Sequence, residues 1–175
     1  MEIRDELVDL SQILAESVAA VRGQAEMKKI GLFDDFPSEM PRIRGDALRL
    51  RQVLINLLSN SVKFTPPDGR IDIQARADAD GTFVLSVADT GIGMTSEGIA
   101  IALEPFGQVE GSLSRKYEGT GLGLPLARSL VELHDATLKI ESELGLGTTV
   151  SIRFPKERVL FKRISGSRQS KHVAA

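Results

Sequence analysis

The chain has 175 residues, 42% of them hydrophobic, which is enough for one domain with a sizeable core. Its 22 basic and 24 acidic residues leave a net charge of -2, so no basic field favours a nucleic-acid partner. The absence of cysteine excludes disulfides and thiolate metal sites, and no apolar run approaches the roughly 20 residues that span a bilayer. We therefore expect a cytoplasmic domain that lies outside the membrane and binds no nucleic acid.

The first half of the chain predicts two helices and a short strand. Apolar residues recur at helical spacing over 3–29, which predicts an amphipathic helix, with or without an extended lead-in. The segment GLFDDF at 31–36 predicts a strand followed by a loop. Asp46 is a good N-cap for a second helix over 47–63, which ends at the turn TPPDG.

Strands and a long loop dominate the second half. Alternating segments at 70–77 and 82–89, joined by the sequence DADG, predict an antiparallel hairpin. Residues 90–121 are rich in glycine, serine and charge around one weak helical patch, and so long a loop is typical of a functional lid or of disorder. A helix over 122–134, with Pro125 in its first turn, precedes a second hairpin.

This order of elements predicts an α/β two-layer sandwich, in which a mixed, mainly antiparallel sheet is packed on one side by helices. We expect one domain over 1–155, with 1–29 as a helix or linker that leads into it. The basic segment 156–175 has little periodic structure, so we expect it to be a disordered tail.

The stretch EGTGLGLP before the last helix places glycines at 119, 121 and 123. Glycines before a helix allow backbone N–H groups to cradle a phosphate at the helix N-terminus. Neither the G-x-G-x-x-G fingerprint nor the G-x-x-x-x-G-K-[ST] loop is present, however. Taken alone, the stretch is equally consistent with phosphate binding and with a flexible hinge.

A second glycine cluster, ADTGIGM, begins where the strand over 82–89 ends at Asp89. An aspartate before glycines commonly caps its own turn, which is the simpler interpretation. A carboxylate beside Gly91 and Gly93 also suits a planar ligand with an amino group, because the acid accepts a hydrogen bond while the glycines leave room for the ring. Adenine fits that description.

The helix over 47–63 carries a polar face as well as a leucine face. Asn56, Asn60 and Lys63 lie at i, i+4 and i+7, within roughly 60° of one another. A solvated face is the simpler explanation, but asparagine is a poorer helix former than Glu, Gln or Lys. Amide oxygens suit Mg²⁺, which also keeps water and phosphate ligands, and lysine supplies positive charge to phosphates.

Four motifs in this order, NLLSNSVKFT, DTGIGM, PFGQV and GTGLGL, resemble those of the catalytic ATP-binding domain of bacterial sensor histidine kinases. The resemblance covers about 5–155 and is highly specific, because four motifs match in register. It implies the Bergerat fold, which this family shares with gyrase-type and chaperone-type ATPases, and an ATP lid. It also implies that the domain uses ATP and Mg²⁺.

The resemblance assigns roles to the polar residues found above. It implies that Asn60 coordinates Mg²⁺, and that Asn56 and Lys63 lie in the same polar box near the phosphates. Asp89 is expected to bind the exocyclic amine of adenine, in a pocket shaped by the glycines after it. Thr148 matches a threonine near the adenine and its bound water.

The resemblance also assigns lid and loop residues. Arg115 and Lys116 lie where lid cations reach the γ-phosphate, although simple solvated charge explains them equally well. Asn56, Lys63 and Arg115 are the residues expected to act in phosphoryl transfer. The remaining nucleotide-binding matches are Gly91, Gly93, Phe106, Gly119, Thr120, Gly121, Leu122, Gly123 and Leu124.

Two positions depart from the family pattern. Phe64 stands where the family often has tyrosine, a mild change of a stacking ring. Asp135 and Ala136 stand where glycines are common, which questions the geometry of that turn.

The resemblance implies that the chain presents the γ-phosphate of Mg-ATP to a histidine. His134 and His172 are its only histidines, and neither lies in the S-H-E-[LF]-[RK]-x-P pattern of the family's acceptor helix. His134 sits at a helix end and is expected to be structural. We therefore expect a monomeric fragment that does not phosphorylate itself. Its partner would be a separate dimerisation and histidine phosphotransfer domain, with a response regulator as an indirect partner.

Two other functions stay open from the sequence. A pseudokinase or regulatory module would bind ATP without transferring phosphate, and a serine kinase of the anti-sigma type has the same fold. Asn56 stands where hydrolases of this fold have a water-activating glutamate, and an amide cannot act as that base. Hydrolysis is therefore expected to be slow.

Overall fold

Eight strands and four helices make up the part of the chain that the computed structural model describes, residues 3–107 and 121–161. The strands are β1 (Glu6–Asp9), β2 (Gly31–Asp35), β3 (Arg42–Gly45), β4 (Arg70–Ala77), β5 (Phe83–Asp89), β6 (Thr137–Glu143), β7 (Gly147–Phe154) and β8 (Val159–Leu160). The helices are α1 (Leu10–Met27), α2 (Ala47–Phe64), α3 (Ser96–Ala102) and α4 (Gly123–Glu132). The predicted helices and hairpins are confirmed, with boundaries shifted by one or two residues, except that the first helix begins at Leu10 after an extended lead-in that forms β1.

Five strands form the main sheet, in the order β2-β4-β5-β7-β6. β2 runs parallel to β4, and the other neighbours pair antiparallel. Helix α2 lies between α1 and α4 and packs on β5, so the helices form the second layer. This confirms the predicted α/β two-layer sandwich with a mixed, mainly antiparallel sheet.

Alternation along the strands explains where the core lies. Ile71 and Ile73 of β4 and Leu85 of β5 point toward the helices and are buried. Their counterparts on α2 are the leucine stripe, in which Leu54 and Leu58 are buried. The leucine face of α2 therefore fixes its rotation on the sheet.

A second, smaller sheet contains β1, β3 and β8, all paired antiparallel. The sequence predicts only a loop between the strand at 31–36 and the second helix, so this sheet was not predicted. These strands have two to four residues, and their outward positions carry charges such as Arg42 and Arg44. Such short runs give too few alternations to predict a strand.

The N-terminal helix α1 is a layer of the domain. Leu10, Leu14, Val21 and Ala25 are almost completely buried, and α1 packs along α2. The prediction of an amphipathic helix is therefore confirmed, and the helix packs as part of the domain.

The prediction of a disordered tail is wrong for residues 156–161. A 3₁₀ turn at Lys156–Arg158 leads into β8, which pairs with β3. The Arg158 guanidinium donates hydrogen bonds to Asp135 at 2.7 Å, to Asp5 at 3.0 Å and to the carbonyl oxygen of Arg44 at 3.3 Å. Residues 162–175 of the predicted tail lie outside the described residues.

His134 is structural, as predicted. Its ring is fully buried; Nδ1 donates to the carbonyl oxygen of Leu130, and Nε2 accepts a hydrogen bond from the backbone N–H of Asp46 at 3.0 Å. Asp46 is the N-cap of α2, so His134 joins the end of α4 to the start of α2. A side chain at Gly45 would collide with the imidazole ring, which explains glycine there.

The turn after His134 is formed by Asp135 and Ala136, without glycine. Asp135 has a φ of 53°, in the left-handed region where glycine is preferred. Its carboxylate accepts two hydrogen bonds from Arg158, which holds the residue in this conformation.

We expect the Arg158→Met substitution to lower the free energy of unfolding by about 1 to 2 kcal/mol, because it removes a charged donor shared by three segments of the chain. Arg76→Met is the control, since Arg76 is exposed and its salt bridge is with the nearby Asp78. That substitution should cost less than roughly 0.5 kcal/mol. Urea unfolding of the two variants measures the difference; equal losses would contradict a special role for Arg158.

Candidate nucleotide-binding site

Three polar side chains form a row across the end of the main sheet. Asp89 of β5 lies opposite Thr148 of β7, which lies opposite Ser142 of β6. Because residues directly opposite on neighbouring strands point to the same face, the three side chains share one face of the sheet. We call these residues the acceptor row.

Asp89 is tied into the sheet by backbone donors. Its Oδ1 accepts hydrogen bonds from the N–H of Gly91 at 2.9 Å and of Thr148 at 3.3 Å. The interpretation of Asp89 as the cap of its own turn is therefore right. It does not exclude ligand binding, because a carboxylate has about four acceptor positions.

The environment of Asp89 disfavours its charge in the absence of a ligand. Burial raises the pKa of this carboxyl above its ordinary value and outweighs the hydrogen bonds from Gly91, Ser61 and Thr148, which lower it. A desolvated carboxylate gains more from a new hydrogen-bond donor than a solvated one does. Asp89 is therefore well suited to receive an amino group.

The glycines after Asp89 let the loop pass close to other backbone segments. A Cβ at Gly91 would lie 2.6 Å from the Asp89 Oδ1 atom and 2.8 Å from the Phe64 carbonyl oxygen. Gly93 has a φ of 67°, and a Cβ there would run into the backbone of Glu143. The N–H of Ile92 donates to the Phe64 carbonyl oxygen at 3.1 Å, which connects this loop to the end of α2.

The polar face of α2 meets the first turn of α4. The amide Nδ2 of Asn56 donates to the carbonyl oxygen of Gly123 at 3.3 Å. A Cβ at Gly123 would lie 3.6 Å from Nδ2 of Asn60, an ordinary contact distance. These contacts place the N-terminus of α4 beside the two asparagines, and Leu122 supplies no side-chain cap to it. The first N–H groups of a helix have no partner within the helix, so such a terminus suits an anion.

Lys63 lies at the end of the same polar face. Its ammonium nitrogen is 4.9 Å from the centroid of the Phe64 ring, a cation–π distance. An open groove of about 450 Å³ adjoins this end of α2 and is lined by Gln24, Met27, Lys28, Ser59, Asn60, Val62 and Lys63. A ligand can therefore reach the polar face from solvent.

Lys28 is a supporting residue that the sequence analysis missed. Its ammonium donates to the carbonyl oxygens of Val62 at 2.6 Å and of Lys63 at 3.0 Å, and burial lowers its pKa. It thus caps the C-terminus of α2, where cations interact favourably with the helix dipole. The carbonyl groups lie more than 30 residues away along the chain, so no local pattern indicates this contact.

The predicted lid region is described in part. It contains α3, capped by the Thr95 hydroxyl, and then Phe106, whose side chain is 74% exposed. Gly121 has a φ of 67°, and a Cβ there would lie 2.9 Å from the backbone of Phe106 and Gly107. The predicted site residues Arg115, Lys116, Gly119 and Thr120 lie outside the described residues.

The leucines of the GTGLGL motif have different positions. Leu122 precedes α4 and is partly exposed, whereas Leu124 packs against the core. Leu124 therefore anchors the start of α4, and nucleotide contacts from this segment would come from its backbone.

The side chains near Asn60 suit a metal ion that keeps most of its ligands from water and phosphate, such as Mg²⁺, better than one bound by protein ligands alone. Among residues 3–107 and 121–161, no three His, Cys, Asp or Glu side chains lie together in a way that could hold a metal ion. Mg²⁺ commonly binds one or two protein oxygens and completes its shell with waters and substrate phosphates. An amide oxygen of Asn60 beside the start of α4 matches that requirement.

These features define a Bergerat-type nucleotide-binding domain: a two-layer sandwich with an aspartate–glycine turn at the end of the sheet and an asparagine face on the central helix. The model of the "Histidine kinase-, DNA gyrase B-, and HSP90-like ATPase" family matches residues 45–158. The chain belongs to this family, and relatives such as PdhS are named histidine kinases.

Two curated relatives illustrate the similarity. The cell-division control histidine kinase PdhS of Brucella anthropi is 40% identical over 91% of this chain and 16% of its own length. The "Non-motile and phage-resistance protein" of Caulobacter vibrioides is 42% identical over 89% of this chain and 19% of its own length. The chain thus spans less than a fifth of these relatives.

Solved structures agree with the fold. Full-length ShkA in complex with AMPPNP has a TM-score of 0.77 and 30% identity, over 92% of this chain and 32% of that one. The catalytic domain of the histidine kinase ThkA has a TM-score of 0.74 and 25% identity, over 89% and 99% of the two chains. Within the described part of this chain, no helix has the length and apolarity needed to cross a membrane.

We expect Asp89→Asn to stabilise the free protein but to weaken ATP binding. The asparagine keeps the Oδ1 acceptor for the N–H groups of Gly91 and Thr148 and removes the buried charge. Its NH₂ group, however, would face the amine of adenine, donor against donor. Calorimetry should show a higher melting temperature and a roughly 10- to 100-fold weaker affinity. A loss of both properties would indicate that the charge is needed for folding.

ATP affinity should also fall as the pH is lowered. The fall should begin at a higher pH than the ordinary pKa of an aspartate would predict. Burial raises the pKa of Asp89 above 3.8, so the free protein takes up a proton there before an exposed aspartate does. Because only the ionised carboxyl presents its full acceptor strength, affinity is lost as the pH falls through this raised value. Titration of the nucleotide phosphates affects wild type and Asp89→Asn alike, so it cancels in the ratio of their dissociation constants. Once Asp89 is protonated its charge is lost in wild type too, and the two dissociation constants should therefore converge at low pH. A constant ratio would contradict the assignment.

Proposed function

We propose that this domain binds Mg-ATP and donates the γ-phosphate to a histidine on a separate dimerisation and phosphoacceptor domain. The observation that supports this most is the hydrogen bond from Ile92 to Phe64, which joins the loop after Asp89 to the end of α2. It joins the loop beside the Asp89 carboxylate to the helix that carries the asparagine face, which supports a single connected site. Such a site suits a ligand with a base at one end and phosphates at the other.

At the base end, the residues bind and orient. The Asp89 carboxylate accepts from the exocyclic amine of adenine, and Thr148, whose N–H already holds Asp89, lies next to it. Gly91 and Gly93 let the loop pass close to the backbone of Phe64 and Glu143, which fixes the loop beside Asp89. This arrangement positions the nucleotide before any phosphoryl transfer.

At the phosphate end, the chain neutralises and positions charge. Asn60 would hold Mg²⁺, which neutralises the phosphate oxygens when bound. Lys63 adds positive charge, and the N–H groups at the start of α4 bind phosphate oxygens. Asn56 holds α4 in place through the Gly123 carbonyl oxygen. Phosphoryl transfer depends mainly on such positioning, so this set of groups suits a kinase.

The acceptor must come from outside the described residues. His134 is buried, and both ring nitrogens are already hydrogen-bonded, so it cannot attack a phosphate. Relatives of this chain are named histidine kinases and are several times longer than the matched segment. We propose that a dimerisation domain supplies the histidine, in the cytoplasm, and that a response regulator receives the phosphate in turn.

A chimera tests this proposal. The present chain would replace the matching 16% of the PdhS relative. The rest of PdhS would then supply the parts that this chain lacks. With radiolabelled Mg-ATP, we expect acid-labile phosphate on the chimera and none on the isolated chain. Asn60→Ala in the chimera should lower labelling at least roughly 10-fold, whereas Lys139→Ala, on an exposed side chain of β6, should not change it.

Other outcomes identify the alternatives. Tight ATP binding without labelling of the chimera would indicate a pseudokinase or a regulatory module. Acid-stable phosphate would indicate a serine kinase. Acid-labile phosphate on His134 of the isolated chain would overturn the assignment of a separate acceptor.

A further inference from the structure

The Ser142 hydroxyl has three hydrogen-bond partners at the end of the acceptor row. The backbone N–H of Met94 donates to its Oγ at 2.8 Å, and the carbonyl oxygen of Gly147 lies 2.8 Å away. The Thr148 Oγ1 atom also lies 2.8 Å from it. The Ser142 side chain is half-buried.

The single proton of Ser142 fixes the direction of all three bonds. A carbonyl oxygen can only accept, so Ser142 must donate its proton to Gly147. Its two lone pairs then accept from the N–H of Met94 and from the hydroxyl of Thr148. Thr148 is therefore the donor in the bond between the two hydroxyls.

This assignment leaves Thr148 with acceptor capacity only. Its one proton is committed to Ser142, while lone pairs on Oγ1 remain for a ligand or for a bridging water. The neighbouring Asp89 carboxylate is an acceptor as well, and the two residues are directly opposite each other on β5 and β7. The base end of the site thus presents two acceptors side by side.

We propose that Ser142 is a positioning residue that holds the Thr148 hydroxyl as an acceptor and so favours a base with an amino group over one with a carbonyl oxygen. The proposal rests on the proposed function, because it assumes that the base binds beside Asp89. Adenine presents an amine at this edge, directly or through a water. Guanine presents a carbonyl oxygen, which would face two acceptors without a proton between them.

In Ser142→Ala the Thr148 hydroxyl is free to rotate and can donate into the site. We expect ATP affinity to fall roughly 5- to 10-fold, while affinity for the triphosphate of purine riboside, which lacks the amine, falls less than about 2-fold. The preference for ATP therefore shrinks. Ser142→Thr keeps the hydroxyl, so this variant should retain the wild-type preference for ATP. Ser151→Ala, on the neighbouring strand β7, is the matched control and should leave both affinities unchanged.

A double-mutant cycle separates this role from a purely structural one. Thr148→Val removes the hydroxyl with little change of shape, so Ser142→Ala should have almost no further effect on the ATP preference in that background. If Ser142 only closed the turn between β6 and β7, the two substitutions would act independently. Both dissociation constants are measured by calorimetry, and the melting temperature of each variant checks the fold.

The outcomes distinguish this inference from the proposed function. Wild-type protein that fails to bind ATP contradicts both. Wild-type protein that prefers ATP, together with a Ser142→Ala variant that loses affinity equally for both nucleotides, overturns only the role of Ser142. Additive effects of the Ser142 and Thr148 substitutions would also overturn it.

Discussion

Helix α2 is held at both ends by side chains from distant parts of the chain, and the candidate site depends on this constraint. At its start, Asp46 caps the helix and is fixed by His134; at its end, the Lys28 ammonium binds the last carbonyl groups. The leucine stripe fixes the rotation of the helix on the sheet. With position and rotation both determined, Asn56 and Asn60 must face the first turn of α4. The polar face is thus oriented by contacts that lie outside it.

The sequence predicted the long periodic elements because their pattern is local. The leucine spacing of α2 and the alternation of β4 and β5 each extend over enough residues to be distinguished from chance. The small sheet could not be predicted in this way. β3 and β8 are short and lie more than 110 residues apart in the chain, so each becomes a strand only through its partner. Tertiary pairing, and not local preference, decides their structure.

A site residue could be predicted where its amino-acid type is unusual for the secondary-structure element that carries it. Two asparagines in a helix and an aspartate at the end of an apolar strand both required an explanation, which led to α2 and Asp89. Ser142 and Lys28 gave no such signal, because their roles depend on backbone atoms of other elements. The glycines of EGTGLGLP left phosphate binding and a hinge equally open. In the structure, Gly121 has a left-handed backbone and lies against the backbone of Phe106 and Gly107, whereas Gly123 lies beside the asparagines.

The contact between Arg158 and Asp5 has a consequence for how the domain folds. These residues are 153 positions apart, and β8 pairs with a strand that itself pairs with β1. Contacts of such sequence separation form late, because the loop between them must be closed before they contribute. During synthesis the small sheet cannot be completed until the segment around residue 160 has left the ribosome. We therefore expect the two ends of the described chain to be joined after the layers between them have assembled.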